Sequence, residues 1–537
     1  MHNYITQIGV YLKLILDKSD ISYKKIEELY RALLKIALSH RFFVMILATG
    51  IVLFSLIIPI HFLGKEFSPS EDQSRFLVRL KAPIDYSVDE VDRIFRKAED
   101  IVRSTPEVRT CFYAQGLMTT TNRGIMFISL KPKSERKRTQ QEIMAEVRKK
   151  FKNIVGLEGS AEDVSLIGGG IRNVPIQYSV RGSDLRAVES YAKEIVSKFS
   201  NIPGIVDVDT SLEVGKPEIR VYIDRDKAAD LGVDVAAVAE AANFLIGGEF
   251  DVAKFKDETR GRRYDVRARL APKDRTDPDD IGRIYVRAHD GRLVELSNIV
   301  RIDETGGPSI INRVDRLRAV TVFANLEGKP LGEAKQELDS IAGRILPPGY
   351  SGIYKGVADI MGESFYYLIF AIILGAVLAY MILAAQFESF VHPITVLLSM
   401  PLSFIGAFGA LLLTGNTMNL FSLIGLILLM GLVKKNAILL VDYTNTLRAR
   451  GIDRREAILT AGPVRLRPIL MTTFAIVFGM IPIAIGIGEG AETRAPMAIA
   501  TIGGLLTSLF LTLIVVPVVY DIFDDLQAKV SRRGPKV

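Results

Sequence analysis

The chain has almost no cysteine: Cys111 is the single one among 537 residues. One cysteine excludes an intrachain disulfide framework and any Cys-x-x-Cys redox or metal motif. Only five histidines are present and none has metal-ligand spacing, so no metal site is predicted. Gly-rich phosphate-binding fingerprints are missing as well, which argues against direct use of a nucleotide. No hydrolase constellation is found, and we therefore predict a protein that is not an enzyme and needs no cofactor.

Apolar residues are plentiful but unevenly distributed. They form 49% of the chain, and the mean hydropathy is +0.24, which suits a protein with both membrane and aqueous parts. A helix needs about 20 apolar residues to cross a bilayer. Six segments meet this length, and five of them lie in the last third of the chain. The segments are 42–63, 366–385, 391–414, 418–441, 469–487 and 498–520.

Basic residues flank these segments and predict their orientation. Residues 1–41, the loop between the fourth and fifth segments, and the tail 521–537 are rich in Lys and Arg. All three lie on one side if six spans alternate, and the positive-inside rule makes that side the cytoplasm. The region 64–362 then lies across the membrane. This topology accounts for the net charge of +7, so no nucleic-acid partner is predicted. Residues 1–40 have the pattern of an amphipathic helix on the lipid surface, followed by an uncleaved anchor.

Two adjacent lysines interrupt the fourth apolar segment. Lys434 and Lys435 lie within the otherwise apolar stretch 420–441. A charge at the centre of a membrane helix costs roughly 2.5–3.5 kcal/mol on insertion scales, and it normally faces a partner of opposite charge. The other apolar segments carry no carboxylate at similar depth. Either another chain supplies the partner, or the lysines lie nearer the cytoplasm than their position indicates.

The region between the first and second apolar segments shows internal repetition. Three units read as strand–helix–strand, the element of split βαβ, ferredoxin-like folds. The stretch 215–303 has a different rhythm, so we predict a module inserted into the last of these subdomains. The units are 76–80, 87–104 and 108–114; 176–180, 185–199 and 206–210; and 319–324, 332–342 and 352–354.

Local motifs resemble those of resistance–nodulation–division (RND) permeases, in the hydrophobe/amphiphile efflux branch of the acriflavine-resistance type. The run GLVKKNAIL at 431–439 resembles the tenth-helix motif, and RLRPILMT at 465–472 resembles the start of the eleventh helix. EDQ at 71–73 and DDIG at 279–282 also match. The resemblance covers essentially the whole chain, which corresponds to the C-terminal half of a twelve-span permease.

The resemblance implies a layout of six membrane helices plus an α+β periplasmic domain. In this layout, ferredoxin-like βαβ porter subdomains carry an inserted docking module. The predicted parts are a cytoplasmic amphipathic region 1–41, a first membrane helix 42–63, a porter subdomain 64–165, a second porter subdomain 166–214 with 310–362, an inserted docking subdomain 215–309, a five-helix bundle 363–520 and a cytoplasmic tail 521–537.

The resemblance also implies a proton relay. Lys435, Arg465 and Thr472 match the family's relay residues, which work with two aspartates on a helix of the N-terminal half. Asn436 is a further candidate, either in the relay or as a hydrogen-bond donor between helices. Lys434 points roughly 100° away from Lys435 on a helix and is predicted to snorkel toward the cytoplasm. Arg465 has the alternative of a positive-inside anchor.

A second set of candidates concerns the substrate. Phe112 and Phe127 fall at positions of the family's aromatic pocket, and ordinary strand core is the alternative for both. The family's switch loop matches residues 115–124, which are shorter here. They carry Leu117 and Met118 where relatives have phenylalanines. Metal-efflux relatives use methionine clusters, and no such cluster is present.

Several functions and assemblies stay open at this stage. The leading hypothesis is a subunit of a proton-driven pump in the bacterial inner membrane, exporting amphiphilic compounds. The alternatives are a lipid or polymer exporter of the same superfamily, and a non-pumping scaffold or pump remnant. The partners implied by the resemblance are an N-terminal-half chain with the intramembrane aspartates, a periplasmic adaptor, an outer-membrane channel and membrane lipids, with three functional units in a trimer. The half-length favours a natural split permease, with a truncated or engineered piece as the alternative.

Overall fold

A computed structural model describes residues 23–116, 120–164, 172, 174–212, 214–308, 310–486, 488 and 490–533. The α-helices in this part are α1 (23–39), α2 (Arg41–His61), α3 (Val88–Arg103), α4 (Gln140–Phe151), α5 (Leu185–Phe199), α6 (Arg225–Asp230), α7 (Val235–Ala242), α8 (Leu331–Ile345), α9 (Val357–Phe387), α10 (His392–Leu397), α11 (Ser399–Leu413), α12 (Leu420–Ala449), α13 (Arg454–Ala484) and α14 (Ala495–Arg533). The strands are β1 (Arg75–Lys81), β2 (Val108–Gln115), β3 (Arg123–Leu130), β4 (Glu158–Asp163), β5 (Ile176–Gly182), β6 (Ile205–Thr210), β7 (Val214–Ile223), β8 (Glu249–Asp257), β9 (Arg262–Ala268), β10 (Tyr285–Arg287), β11 (Leu293–Glu295), β12 (Val300–Pro308), β13 (Arg313–Val314), β14 (Leu317–Leu326) and β15 (Ser351–Tyr354).

Six helical segments in the described residues are long and apolar enough to cross a membrane, judged by length and composition. Each of the six apolar segments of the sequence overlaps one of them. The helices run further than the apolar segments. For example, α13 begins at Arg454 rather than near residue 469, and α12 continues to Ala449. Hydropathy reports only the part of a helix that suits the bilayer interior, whereas backbone hydrogen bonds carry the helix on into its charged ends.

Helix α14 lies at the centre of the bundle and contacts α11, α12 and α13. Small residues allow its closest crossing, because a Cβ atom added at Gly406 of α11 would collide with Gly503 of α14. Small residues at membrane helix crossings let the backbones approach closely. Helix α9, in contrast, is exposed along nearly its whole length. The bundle therefore has a packed centre and open outer faces.

The predicted boundary between the bundle and the tail is residue 521. It falls inside α14, which runs without a break to Arg533. Asp521, the first residue of the predicted tail, is fully buried. The predicted apolar segment ends at Tyr520 because charged residues follow. Basic residues of other helices neutralise these charges, as described below.

The first α/β subdomain is a four-stranded antiparallel sheet in the order β2-β3-β1-β4. Strands β1 and β2 lie on either side of β3, and strands β3 and β4 lie on either side of β1. The two split βαβ units are therefore interleaved in one sheet. Gly124 and Gly159 both pair with Leu80 and so share a face of the sheet. Cβ atoms added at these glycines would meet Phe95 of α3 and Phe151 of α4. Both helices therefore cover the same face. On the opposite face Leu77 and Glu162 are buried, whereas Phe112 and Phe127 stay exposed.

The second α/β subdomain repeats this plan with β5, β6, β14 and β15. Strand β14 pairs antiparallel with both β5 and β6, and β15 pairs with the other edge of β5. Helices α5 and α8 contact each other, and their buried faces include Phe199 and Leu338. All three strand–helix–strand units read from the sequence are confirmed as elements. Their interleaving is decided by pairing between strands far apart in the chain.

Residues Ser211–Asn312, which lie between β6 and β13 in the chain, form a separate compact unit together with Ala82–Val91. Strands β7 and β12 pair antiparallel, as do β10 with β11 and β8 with β9. Its core is formed by Val233, Val238, Ile281, Ile284, Val286, Ala288, Leu296 and Ile299. The β8–β9 hairpin leaves Phe255 and Tyr264, a cross-strand pair, exposed to solvent.

Helix α1 is the described part of the predicted amphipathic region; residues 1–22 lie outside the described residues. Tyr30 and Leu34 are buried against the bundle, and the hydroxyl of Tyr30 donates to the carbonyl of Leu513 at 2.8 Å. Burial raises the pKa of that phenol. Leu29 and Leu33 stay exposed on a neighbouring face. The helix thus has one apolar face for the bundle and a second apolar face open to its surroundings.

Candidate functional site

Lys435 lies on an open face of α12. It is exposed, and so are Ile424, Leu428 and Gly431, which precede it at helical spacing. Lys434 is half-buried and points elsewhere. In the described residues neither lysine has a hydrogen-bond or ion-pair partner. The charge of Lys435 is therefore presented on a face that this chain leaves uncovered.

The other predicted relay residues do not join Lys435 through direct contacts. Asn436 is buried and faces the interior of this chain. The guanidinium of Arg465 lies 4.5 Å from the ring centroid of Tyr443, and its Nε is buried with no hydrogen-bond partner in the described residues. The hydroxyl of Thr472 donates to the carbonyls of Pro468 and Ile469 in its own helix. An unsatisfied buried donor is rare in a complete structure, so the Arg465 site has spare hydrogen-bonding capacity.

Acidic residues near the C-terminal end of α14 hold basic residues from three other helices. The fully buried Asp521 accepts a hydrogen bond from Arg41 Nη1 of α2 at 3.1 Å. Arg454 Nε of α13 lies 2.7 Å from the other Asp521 oxygen, at ion-pair distance but without hydrogen-bond geometry. The further members of this ion cluster are Arg448 of α12, Asp524 and Asp525. The sequence reasoning treated these arginines only as topology signals and missed the cluster. Its one local signal is the spacing of three aspartates on one turn of a helix.

Phe112 and Phe127 lie side by side on the face of the first sheet that α3 and α4 do not cover. They are directly opposed in β2 and β3, and their ring centroids are 6.0 Å apart. Their exposed fractions are 61% and 45%. Neither phenylalanine is a core residue of this chain, which removes the alternative of ordinary strand core. Leu117 and Met118 of the predicted pocket lie outside the described residues.

Under the efflux hypothesis read from the sequence, replacing Phe112 or Phe127 with alanine should change the range of exported compounds without a loss of folded protein. Because both rings are exposed, we expect the free energy of unfolding to change by about 0.5 kcal/mol or less. Phe95→Ala is the matched control, since that ring is fully buried and its loss should cost about 3–5 kcal/mol. Export of several amphiphiles and protein yield would be measured together. A fall in yield for the exposed pair that matches Phe95→Ala would contradict the assignment.

A cavity of about 970 Å³ lies between the two α/β subdomains and the adjoining ends of the membrane helices. Its wall includes Glu66, Met144, Arg148, Asn325 and Phe421. Burial raises the pKa of the Glu66 carboxyl, and the hydrogen bond donated by the hydroxyl of Thr417 opposes this in part. The cavity therefore combines apolar surface with a carboxyl group that ionises less readily than usual.

Glu66→Gln is expected to stabilise the protein at neutral pH and to have little effect in acid. The raised pKa means that ionisation of Glu66 disfavours the folded state. The contribution of protonated Glu66 to folding stability is complete below the pKa of a glutamate in the unfolded chain. It is lost as the pH rises through the higher pKa of Glu66 in the folded protein. The melting temperature of Glu66→Gln should thus exceed that of the parent at pH 7.5 and approach it near pH 4. Equal shifts at both pH values would contradict this.

Glu142→Gln supplies a control of opposite sign. The pKa of Glu142 is lowered by hydrogen bonds from the backbone and side chain of Thr139 in a helix-capping box. A lowered pKa contributes stability that is present above the unfolded value and is lost as the pH falls. This variant should therefore be less stable than the parent at pH 7.5, and the difference should shrink in acid.

The described residues contain no group of three or more His, Cys, Asp or Glu side chains that could hold a metal ion. Cys111 is half-buried in β2, and burial raises the pKa of its thiol. A thiol is a good metal ligand only as the thiolate. Met144 is the one methionine among the lining residues of the cavity. The geometry offers no soft-metal site there.

The sequence of residues 12–524 matches the AcrB/AcrD/AcrF family. The chain belongs to this family of RND permeases. The resemblance read from the motifs at 431–439 and 465–472 is thereby confirmed. Among similar proteins is multidrug resistance protein MdtC of Escherichia coli (strain UTI89 / UPEC), 31% identical over 511 residues, which cover 94% of this chain and 49% of that protein. MdtC of Yersinia pestis bv. Antiqua (strain Angola) is 31% identical over 515 residues, covering 95% and 50%.

Solved structures support the same fold. Two crystal forms of a heavy metal efflux pump superpose with TM-scores of 0.84 and 0.83 at 24% identity. The match covers 93% of this chain and 52% of that one. This family member thus spans about half the length of the curated relatives and of the structures that it matches. The apolar bundle and the β-rich part described above are the RND permease fold.

Proposed function

We propose that the chain is one half of a proton-driven RND efflux transporter, and that it exports amphiphilic or hydrophobic compounds across the bacterial cell envelope. The observation that carries this proposal is Lys435, which lies on an open face of a membrane helix and has no partner in the described part of the chain. A scaffold gains nothing from an intramembrane charge that costs roughly 2.5–3.5 kcal/mol to insert. A pump gains from such a charge, because the lysine can work with carboxylates supplied from outside this chain.

The proposed partner is a second six-span chain, the N-terminal half, which brings intramembrane aspartates to the open face of α12. A nearby ammonium favours the ionised form of a carboxylate, and protonation of the carboxylate weakens that pairing. Two arrangements of the helix interface would then differ in their affinity for a proton. A proton gradient can shift the population between two such states. Arg465, whose buried Nε has no hydrogen-bond partner among the described residues, and Thr472 are proposed to complete this relay.

Asn436 is proposed to support the relay only indirectly. It is buried within this chain, whereas Lys435 is exposed, because adjacent residues on a helix point roughly 100° apart. An amide in this position can fix the packing of α12 by hydrogen bonding between helices. The surface proposed to meet the proton-accepting carboxylates of the partner is the Lys435 face.

The proposed substrates are amphiphiles. The exposed pair of Phe112 and Phe127 offers aromatic area for apolar groups. The cavity at Glu66 has the volume that is usual for a site holding a small molecule. Export of lipids or polymers by the same machinery is the alternative within transport. Metal is not among the substrates that we propose.

The proposed setting is the bacterial inner membrane, with the β-rich part in the periplasm. There the pump would be a trimer of functional units. It would work with a periplasmic adaptor protein and an outer-membrane channel. The exposed apolar face of α1, with Leu29 and Leu33, is proposed to lie against membrane lipids.

Gentle extraction of the native complex, followed by mass spectrometry of its subunits, would test this proposal. A second six-span chain with paired aspartates in one helix is the expected result. If the protein were found alone or only with itself, Lys435 would face a second lysine or lipid instead of a carboxylate. In that case the pump proposal fails, and a scaffold or a pump remnant becomes the better explanation.

A further inference from the structure

The two α/β subdomains are joined behind the cavity by a buried polar contact centred on Asp207. This residue lies in β6 and has a positive φ of 52°. Asp tolerates the left-handed region better than most residues, yet the conformation still carries strain. Such residues persist where their surroundings fix them, and they concentrate at functional sites. The question is what fixes Asp207.

Three donors converge on one oxygen of Asp207. Its Oδ2 accepts hydrogen bonds from Arg148 Nε at 2.7 Å, from Asn325 Nδ2 at 3.0 Å and from the backbone NH of Ala161 at 3.3 Å. Arg148 Nη2 and Asn325 Nδ2 also donate to the carbonyl of Ala161, at 2.6 and 3.2 Å. We name these four residues the Asp207 clasp. The exposed fractions of the Arg148 and Asp207 side chains are only 11% and 7%.

The clasp crosses the boundary between subdomains. Arg148 and Ala161 belong to α4 and β4 of the first subdomain, whereas Asp207 and Asn325 belong to β6 and β14 of the second. The pairing of β14 with β6 shifts register between Phe323 and Asn325. This irregularity and the left-handed backbone together turn the carboxylate of Asp207 toward the first subdomain.

A second buried link lies two residues further along β6. Asp209 accepts hydrogen bonds from Lys81 Nζ at 2.9 Å and from Arg172 Nη1 at 2.8 Å, and Arg172 also pairs with the fully buried Glu162. Burial would raise the pKa of Asp209, but Lys81 and Arg172 outweigh it and hold the pKa below its usual value. This link and the Asp207 clasp lie next to each other on β6. Together they attach the two subdomains along this strand.

The clasp also forms part of the cavity wall, since Arg148 and Asn325 both line the cavity. A carboxylate with three donors and little contact with water is costly to leave half-paired. The angle between the subdomains, and with it the width of the cavity, is therefore tied to the Asp207 clasp and the neighbouring Asp209 link. We propose that Asp207 is the positioning residue that locks the two α/β subdomains at the back of the cavity, so that the cavity widens when the clasp is released.

Accessibility of a cysteine inside the cavity tests this proposal directly and does not depend on transport. Met144 lines the cavity and is 3% exposed. Met144→Cys would be made in a Cys111→Ser background, and its labelling by a maleimide would be followed in native membranes with the assembled protein. Asp207→Asn keeps a residue that tolerates a positive φ but removes the charge. Asp207→Gly also removes the backbone strain.

Both Asp207 variants should raise the labelling rate by roughly tenfold, because a tenfold change equals about 1.4 kcal/mol and the loss of one partner from a buried ion pair exceeds this. Glu189→Gln breaks an exposed pair within α5 and should leave the rate unchanged. Asn325→Ala, which removes one donor, should give a smaller increase in the same direction. If the Asp207 variants fail to reach the membrane, Asn325→Ala would be tested in their place. Rates equal to the parent in the variants that reach the membrane would overturn the proposal.

Discussion

Lys435→Ala is expected to abolish proton-driven efflux by the assembled pump while leaving membrane insertion intact. The side chain is exposed on α12 and has no partner in the described part of the chain, so its removal costs little packing within this chain. What is lost is the charge presented to the proposed partner half. Resistance of cells to exported compounds should fall to that of cells without the pump, with normal amounts of protein in the membrane.

Lys434→Ala is the matched control, since it removes the same group one residue away. Lys434 is half-buried and points to a different face of the helix, so most of the efflux should remain. Lys435→Arg keeps the charge but replaces a compact ammonium with a planar guanidinium, and partial activity is expected. Normal efflux by Lys435→Ala would refute the relay role, whatever the effect of the other two changes.

The second large effect concerns folding. Asp521→Asn should destabilise the protein by roughly 1.5–3 kcal/mol, the usual contribution of a hydrogen bond to a charged group. The effect stays in this range because Arg41 and Arg454 keep Asp525 as a partner. Asp521 is fully buried, and the change leaves both Arg41 and Arg454 with a neutral neighbour. The amount of monodisperse protein after detergent extraction and its melting temperature would both fall.

Asp525→Asn provides the comparison within the same cluster. Asp525 also pairs with Arg41 and Arg454, but its side chain is 34% exposed. Water screens such a pair, and exposed pairs contribute about 1 kcal/mol or less. A melting temperature of Asp521→Asn close to that of Asp525→Asn would mean that the cluster does not hold the four helices together.

Much of the fold follows from local pattern. The six apolar segments and the three strand–helix–strand units are visible because the bilayer sets a length and the βαβ unit sets a period. The candidate Lys435 is visible for a similar reason, since a lysine stands out against apolar neighbours. In contrast, the sequence alone did not decide between a pocket and a core position for Phe112 and Phe127. That depends on which face of the sheet α3 and α4 cover, which follows from the register of β1, β3 and β4.

The remaining features depend on contacts between distant parts of the chain. Arg41 and Asp521 are 480 positions apart, so no local window connects them, and their charges read only as flanks of separate spans. Asp207 resembles any polar residue of a short strand until β14 and α4 bring Asn325 and Arg148 to its carboxylate. By itself the sequence determined which segments suit the membrane and which elements form, and it made Lys435 a candidate because a lysine stands out among apolar neighbours. Only the tertiary structure decided which faces stay open and which charges are neutralised within the chain, because burial and ion pairing are properties of packed surfaces and not of local composition.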